Sequence, residues 1–306
     1  MHFGLRYANL GPYTAGPAAI EIAQAAEAAG FESIWTIEHV VVPGAYQSVY
    51  PYAPSGKMTA DNSMPIPDPL VWLTFVAGAT KRIKLGTGIL IVPQRNPVVL
   101  AKELASIDSL SGGRMLLGIG VGWLEEEFDA IGVPFTDRGP RTEEYVEAMR
   151  TLWRDGPASF HGSFVRFENV WCRPQPAGNV PVIVGGQTKV AARRAGRMGD
   201  GYFPARAQPW DLIDEMRRAA EAAGRDPDAV EITVSAPDDP RELAELERRG
   251  VHRVLVPVTG MVGLGTQVTD PDSVLRYGRD VISGFADTPA DTPADTTAGA
   301  AAAGRG

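Results

Sequence analysis

Residues 85–120 read LGTGILIVPQRNPVVLAKELASIDSLSGGRMLLGIG, and this stretch decides the architecture. It continues a run, residues 83–91, whose Ile83, Leu85, Ile89, Leu90 and Ile91 predict a buried strand. A helix is expected over residues 98–110, where Leu100, Leu104, Ile107 and Leu110 recur three or four apart and so share one face. Gly112 and Gly113 stop it, and a second apolar run, residues 114–119, follows at once. Strand, helix and strand in that order make a crossover between parallel strands.

The alternation extends both ways along the chain. Strand-like runs occupy residues 3–7, 33–37, 180–184, 201–204, 231–235 and 253–258, which brings the number to eight. Helical patterns lie between them at 18–29, 68–80, 141–153, 189–198, 209–223, 241–249 and 272–282. Eight strand–helix units with Val, Ile and Leu in the strands predict an α/β fold of the (β/α)8 TIM barrel type. On periodicity alone an open doubly wound sheet is the alternative.

Three segments leave the repeat. Residues 40–67 are rich in Pro, Tyr, Gly and Ser, and a connection that long is expected to be a lid, a binding element or disordered. Residues 160–176 read as a small excursion from the barrel. From 286 to 306 the chain repeats Asp-Thr-Pro-Ala twice with no apolar pattern, so a disordered low-complexity tail is expected after a single barrel domain spanning 1–285.

Composition narrows the class of function. With 306 residues, 44% hydrophobic and 22% charged, the chain has the make-up of a soluble globular protein. A net charge of -8 without a Lys/Arg block argues against nucleic acid or an anionic membrane as partner. The single cysteine, Cys172, cannot form an intramolecular disulfide, and no Cys/His spacing suits zinc. No signal peptide or long apolar span is seen. A cytoplasmic, metal-free protein is the expectation.

In a parallel barrel the chemistry follows the strands, at their C-terminal ends. After the second strand come Glu38 and His39, an acid beside an imidazole that exchanges protons near neutrality. Glu38 could be the partner of His39 or a solvated charge. The third strand carries Gly86, Thr87 and Gly88, and the fourth leads into Gly118, Gly120, Val121, Gly122 and Trp123. Glycines in adjacent strands mark a bulge or a close approach, either by a flat ligand or by neighbouring chain. After the fifth strand, Gly185, Gly186, Gln187 and Thr188 feed a helix whose N-terminus suits a phosphate. Thr188 would be its cap or a phosphate ligand, with Lys189, Arg193 and Arg194 adding positive charge. A Gly-x-Ser-x-Gly elbow, a Walker loop and Rossmann glycine spacing are all missing.

These residues carry a family resemblance. The run from Leu85 to Arg114, continuing through Leu117-Gly118-Ile119-Gly120-Val121-Gly122-Trp123 to Glu127 and Phe128, resembles the luciferase-like monooxygenase superfamily. Glu38-His39, Gly132 to Phe135 with Arg138 and Arg141, and Gly185-Gly186 followed by Ala191 to Tyr202 are similar to its deazaflavin (coenzyme F-420) branch. The resemblance covers about residues 1–285. It implies a ring system at the barrel mouth, supported from behind by a bulge at Thr87-Gly88, with residues 120–123 along the ribityl chain. It likewise implies phosphate at Gly185 and Gly186, His39 near the reacting ring carbon, a small organic substrate, and a homodimer as in many relatives. Glu38 departs from the Asp found before the histidine in several deazaflavin relatives. Hydride transfer with the deazaflavin is the leading expectation. FMN-dependent oxygenation is the alternative, and a non-catalytic cofactor-binding barrel comes third.

Overall fold

The computed structural model describes residues 1–58, 62–204, 209–258 and 268–285, and the expected disordered tail lies outside them. Its strands are β1 (His2–Arg6), β2 (Ser33–Thr36), β3 (Lys84–Thr87), β4 (Leu90–Ile91), β5 (Met115–Gly120), β6 (Ala158–His161), β7 (Arg166–Val170), β8 (Val182–Gly185), β9 (Gly201–Phe203), β10 (Glu231–Ser235) and β11 (Arg253–Pro257). The helices are α1 (Gly16–Ala28), α2 (Pro69–Ala77), α3 (Pro97–Ser111), α4 (Glu125–Ala130), α5 (Arg138–Leu152), α6 (Lys189–Met198), α7 (Trp210–Ala222), α8 (Leu243–Arg248) and α9 (Pro271–Asp280). Strands β1, β2, β3, β5, β8, β9, β10 and β11 pair in parallel all the way round, with β11 returning to β1 and β3 meeting β5. That closed ring of eight is the (β/α)8 barrel and excludes the open sheet.

Strand parity builds two cores. Leu5, Ile34, Leu85, Leu117, Val182, Ile232 and Val254 face the helices. Trp35, Leu116, Ile183, Phe203 and Leu255, with Ile89 packed on them, fill the interior. Trp35 fits because two of its neighbours are glycines: a Cβ on Gly86 would lie 2.5 Å from the indole, and one on Gly4 2.6 Å from its Nε1. The N-terminal end is plugged by Arg253, bonded to Glu32 at 3.0 Å and Glu231 at 3.2 Å, with Lys84 on Glu32 at 2.8 Å.

The helix punctuation acts as its residue types suggest. Asn96 accepts from the amides of Val98 and Val99 at the start of α3, and Gly112 ends it in the left-handed region at φ 74°. Three features refine the sequence reading. The run 83–91 is broken at Gly88–Ile89, a cis peptide, before β4 resumes pairing through Leu90↔Ile119 and Ile91↔Gly120. The excursion after α5 is an antiparallel hairpin of β6 and β7. Helix α4 was not anticipated. Among the described residues no helix is long and apolar enough to cross a membrane.

Candidate active site

At the end of β2 the chain is pinned by Asn9, which accepts from the Ile37 amide at 2.9 Å and donates to the carbonyls of Ile37 at 2.9 Å and Pro67 at 3.2 Å. Beyond that point Glu38 and His39 diverge. Glu38, expected as a partner for His39, turns instead to the Ile91 amide and to Arg95, whose Nε donates at 3.1 Å and whose Nη2 donates as well. Arg95 Nη2 also reaches Asp68 at 2.6 Å. Burial pushes the Glu38 carboxyl up while Arg95 pulls against it. Glu38 therefore ties the end of β2 to β4 and to Arg95. Neighbouring side chains of an extended segment leave on opposite sides, which is why the pair does not form.

The carboxylate that meets His39 is Glu127 of α4, with Oε2 3.3 Å from Nδ1. Its Oε1 accepts from the amides of Val40 at 2.6 Å and Val41 at 3.3 Å, so the group is aimed from three sides. A carboxylate only accepts, hence Nδ1 carries the hydrogen and Nε2 is left for exchange. Trp123 stands edge-on to His39 with ring centres 6.2 Å apart, and Tyr46 and Tyr50 stand edge-on to Trp123 at 5.6 and 5.0 Å. Glu126, next to Glu127, holds the loop that bears these tyrosines, accepting from the Gln47 amide at 2.5 Å and from the Ser48 amide and hydroxyl at 3.1 and 2.7 Å. The Ser48 hydroxyl and the amides hold its carboxyl down at about 2.

The glycines expected to clear space for a ring clear it first for protein. A Cβ on Gly120 would fall 2.0 Å from Ile89 Cδ1, and one on Gly185 2.7 Å from Ile89 Cγ2. Ile89 thus fills the space that these two glycines leave, packed on the interior cluster. Gly118 admits the carbonyl of Thr87, which a Cβ would meet at 1.8 Å, while the Thr87 hydroxyl donates to the Gly118 carbonyl at 2.7 Å. Thr87 and Gly88 accordingly shape the bulge. Gly122, at φ 80°, lets Phe128 pack close and accepts at its carbonyl from Arg138 Nε at 3.2 Å; Val121 beside it is half-buried.

At the expected phosphate end, Gly186 takes φ 127° but its amide donates to the Phe203 carbonyl at 3.1 Å. Its own carbonyl accepts from the Tyr202 hydroxyl at 3.0 Å. The amides of Gln187, Thr188, Lys189 and Val190 meet no acceptor among the described residues, so of the residues expected at the phosphate it is Gln187 and Thr188, rather than Gly186, whose amides are open to an anion. Thr188 caps α6, accepting from the Ala191 amide at 3.1 Å. Arg193 and Arg194 are taken by Glu215 and Glu143, and among the described residues Lys189 joins no ion pair. Sequence reasoning carried Glu127 in the family motif but gave it no role, because a six-residue helix with three consecutive acids shows no apolar period. A cavity of about 270 Å³ at the opposite end, lined by Glu27, Glu32, Arg82 and Lys84, holds carboxylates already engaged within the fold.

Residues 5–258 match the family model described as luciferase-like monooxygenase. An uncharacterized protein of Mycobacterium tuberculosis is 33% identical over 262 residues, 83% of this chain and 91% of that one. An F420-dependent glucose-6-phosphate dehydrogenase of Kineococcus radiotolerans is 32% identical over 241 residues, covering 74% of this chain and 66% of its own. An FMNH(2)-dependent dimethylsulfone monooxygenase of Pseudomonas putida is 31% identical over 223 residues, covering 69% and 56%. The coenzyme F420-dependent tetrahydromethanopterin reductase of Methanopyrus kandleri superposes with a TM-score of 0.71 at 20% identity, over 93% of this chain and 99% of that one. With the family model matching most of its length and the barrel closing as that fold requires, this chain belongs to the luciferase-like monooxygenase family.

Proposed function

We propose that the protein is a deazaflavin-dependent oxidoreductase that transfers hydride between the coenzyme and a small organic substrate. The observation that carries this reading is the His39–Glu127 pair set at the C-terminal mouth of the barrel beside Trp123. Deazaflavin, when bound, would supply hydride chemistry, whereas reduced FMN would react with oxygen. This chain's residues would supply the rest: Ile89 a platform for the ring, residues 187–190 an anion cradle, and His39 Nε2 the proton at the substrate oxygen. The cradle favours the deazaflavin. A terminal phosphomonoester carries about -1.5 to -2 charge and calls for paired cations. Here the arginines of α6 are neutralised, and amides with one lysine suit the single charge of a phosphodiester. Thr188, Lys189 and Val190 are exposed, which leaves room for a chain continuing past the phosphate. FMN-dependent oxygenation is the second reading, supported by the dimethylsulfone monooxygenase relative.

Two measurements test the proposal. Fluorescence titration with the deazaflavin and with FMN, in both redox states, should show tighter binding of the deazaflavin. With a turned-over substrate, His39→Ala should lower the single-turnover rate by roughly 10²–10⁴-fold while cofactor affinity changes much less. A near-full rate would make His39 structural and end the proton-exchange reading.

A further inference from the structure

Strand parity sends Gly4 and Arg6 of β1 into the barrel, since Phe3 and Leu5 face the helices. Arg6 is its last residue, only 7% exposed, among the C-terminal ends of β9 and β10. Its Nη1 donates to the Ser235 hydroxyl at 2.7 Å and its Nη2 to the Tyr7 hydroxyl. The guanidinium carbon lies 4.1 Å from the centre of the Tyr7 ring and 5.5 Å from that of Phe203. Tyr7 holds φ at 64°, a left-handed conformation unusual for a tyrosine, directly beneath the cation.

Every other buried arginine among the described residues has an electrostatic answer. Arg253 has Glu32 and Glu231, Arg194 has Glu143, Arg141 has Asp137, and Arg114 is surrounded by the carbonyls of Ala77, Ile83 and Ser111. Among the described residues Arg6 has two neutral hydroxyls, and the groups that act on it electrostatically are the phenols of Tyr7 and Tyr50. A buried guanidinium stays charged, and a buried charge lacking an opposite one is costly to the fold. Such a cost is tolerated where a ligand completes the pair. Tyr50 also packs against Trp123, whose edge meets His39, so Arg6 belongs to the same mouth as the proton-exchanging pair.

We infer that Arg6 is the anion-recognising group of the substrate subsite, and that the substrate is an organic anion whose carboxylate docks on this guanidinium. The inference deepens the proposed function, because it takes the barrel mouth as the substrate site. Arg6 sets position and specificity, and the redox step itself is unchanged.

The test uses the full chain and three probes: benzoate, its neutral analogue benzamide, and inorganic phosphate. Calorimetry and thermal shift on the wild type should show benzoate binding at least about tenfold more tightly than benzamide, as a charge-assisted pair requires. Phosphate is expected at residues 187–190 with or without Arg6; benzoate binding that is displaced by phosphate and survives Arg6→Gln unchanged would overturn the inference. Arg6→Gln should abolish the benzoate preference, leave deazaflavin affinity within about twofold, and melt no lower than the ligand-free wild type. Arg6→Lys should keep part of the preference and covers the case in which Arg6→Gln fails to fold. Benzoate and benzamide binding alike to the wild type would overturn the inference. An Arg6→Gln loss of deazaflavin affinity as large as its loss of benzoate would assign Arg6 to the cofactor and overturn it too. Failure of the wild type to bind deazaflavin at all would sink the cofactor proposal while leaving the benzoate result standing.

Discussion

Glu127 does more than sit near an imidazole, because its two oxygens have separate duties. Oε1 takes the Val40 and Val41 amides, and Oε2 faces His39 Nδ1. In Glu127→Gln the amide oxygen can keep the backbone contacts while the NH₂ turns to Nδ1, which must then accept, and the ring hydrogen moves to Nε2. Turnover should fall by roughly 10²-fold, on the scale of a displaced acid–base group, with the melting temperature nearly unchanged and the pH–rate profile altered. An unaltered profile would show that Glu127 only anchors the loop. This pairing was not legible in the sequence, where the adjacency of Glu38 and His39 suggested the wrong carboxylate. Residues adjacent in an extended segment face apart, whereas Glu127 comes to His39 from 88 residues away. Similarly, the glycines at 120 and 185 announced a close approach but not its occupant, since Ile89 comes from a different strand end.

Elements were easier to read than partners. Helix α6 begins at Lys189 and ends at Met198, as its capping Thr188 and the following glycine suggest, and the eight barrel strands start within two residues of their apolar runs. Periodicity of that kind survives because each strand is buried on both faces and each helix on one. Helix α4 lacked any such signal, being Glu125–Ala130 with acids in its first turn. Acids there complement the helix dipole, so their placement stabilises α4 locally while their oxygens serve the loop. The cradle at the start of α6 makes a prediction of its own. Lys189 is exposed and joins no ion pair among the described residues, so Lys189→Glu should leave the melting temperature unaltered. Deazaflavin binding should weaken several-fold by titration, most at low salt. Unchanged affinity would move the phosphate away from α6.

Across the whole molecule, the two ends of the barrel carry opposite electrostatic designs. The mouth keeps exchangeable groups, while the N-terminal end is locked by Arg253, Glu32, Glu231 and Lys84. Burial pushes the Glu32 carboxyl up, yet Arg253 and Lys84 outweigh it and hold it at about 2, below its ordinary 4.5. A carboxyl depressed in the fold stabilises above its unfolded value and loses that contribution as pH falls through the folded one. Glu32→Gln should therefore cost about 3 kcal/mol at pH 7, as removal of one partner from a buried pair does. The gap to the wild type should close as the pH is lowered from 4.5 toward 2. Acid melts of the two proteins check this, and a gap independent of pH would assign the loss to packing.

Consecutive acids on α4 serve two masters: Glu126 binds the Gln47 and Ser48 amides, and Glu127 binds His39. Access and chemistry are in this way inherited as one block. A graft that brings a relative's substrate-facing loop into this barrel must carry α4 with it. Moved alone, the loop arrives without acceptors for its own amides, and the imbalance reaches the imidazole one residue along the helix. Diversification of substrate choice in such a barrel should accordingly appear as paired exchanges at two places far apart in the chain.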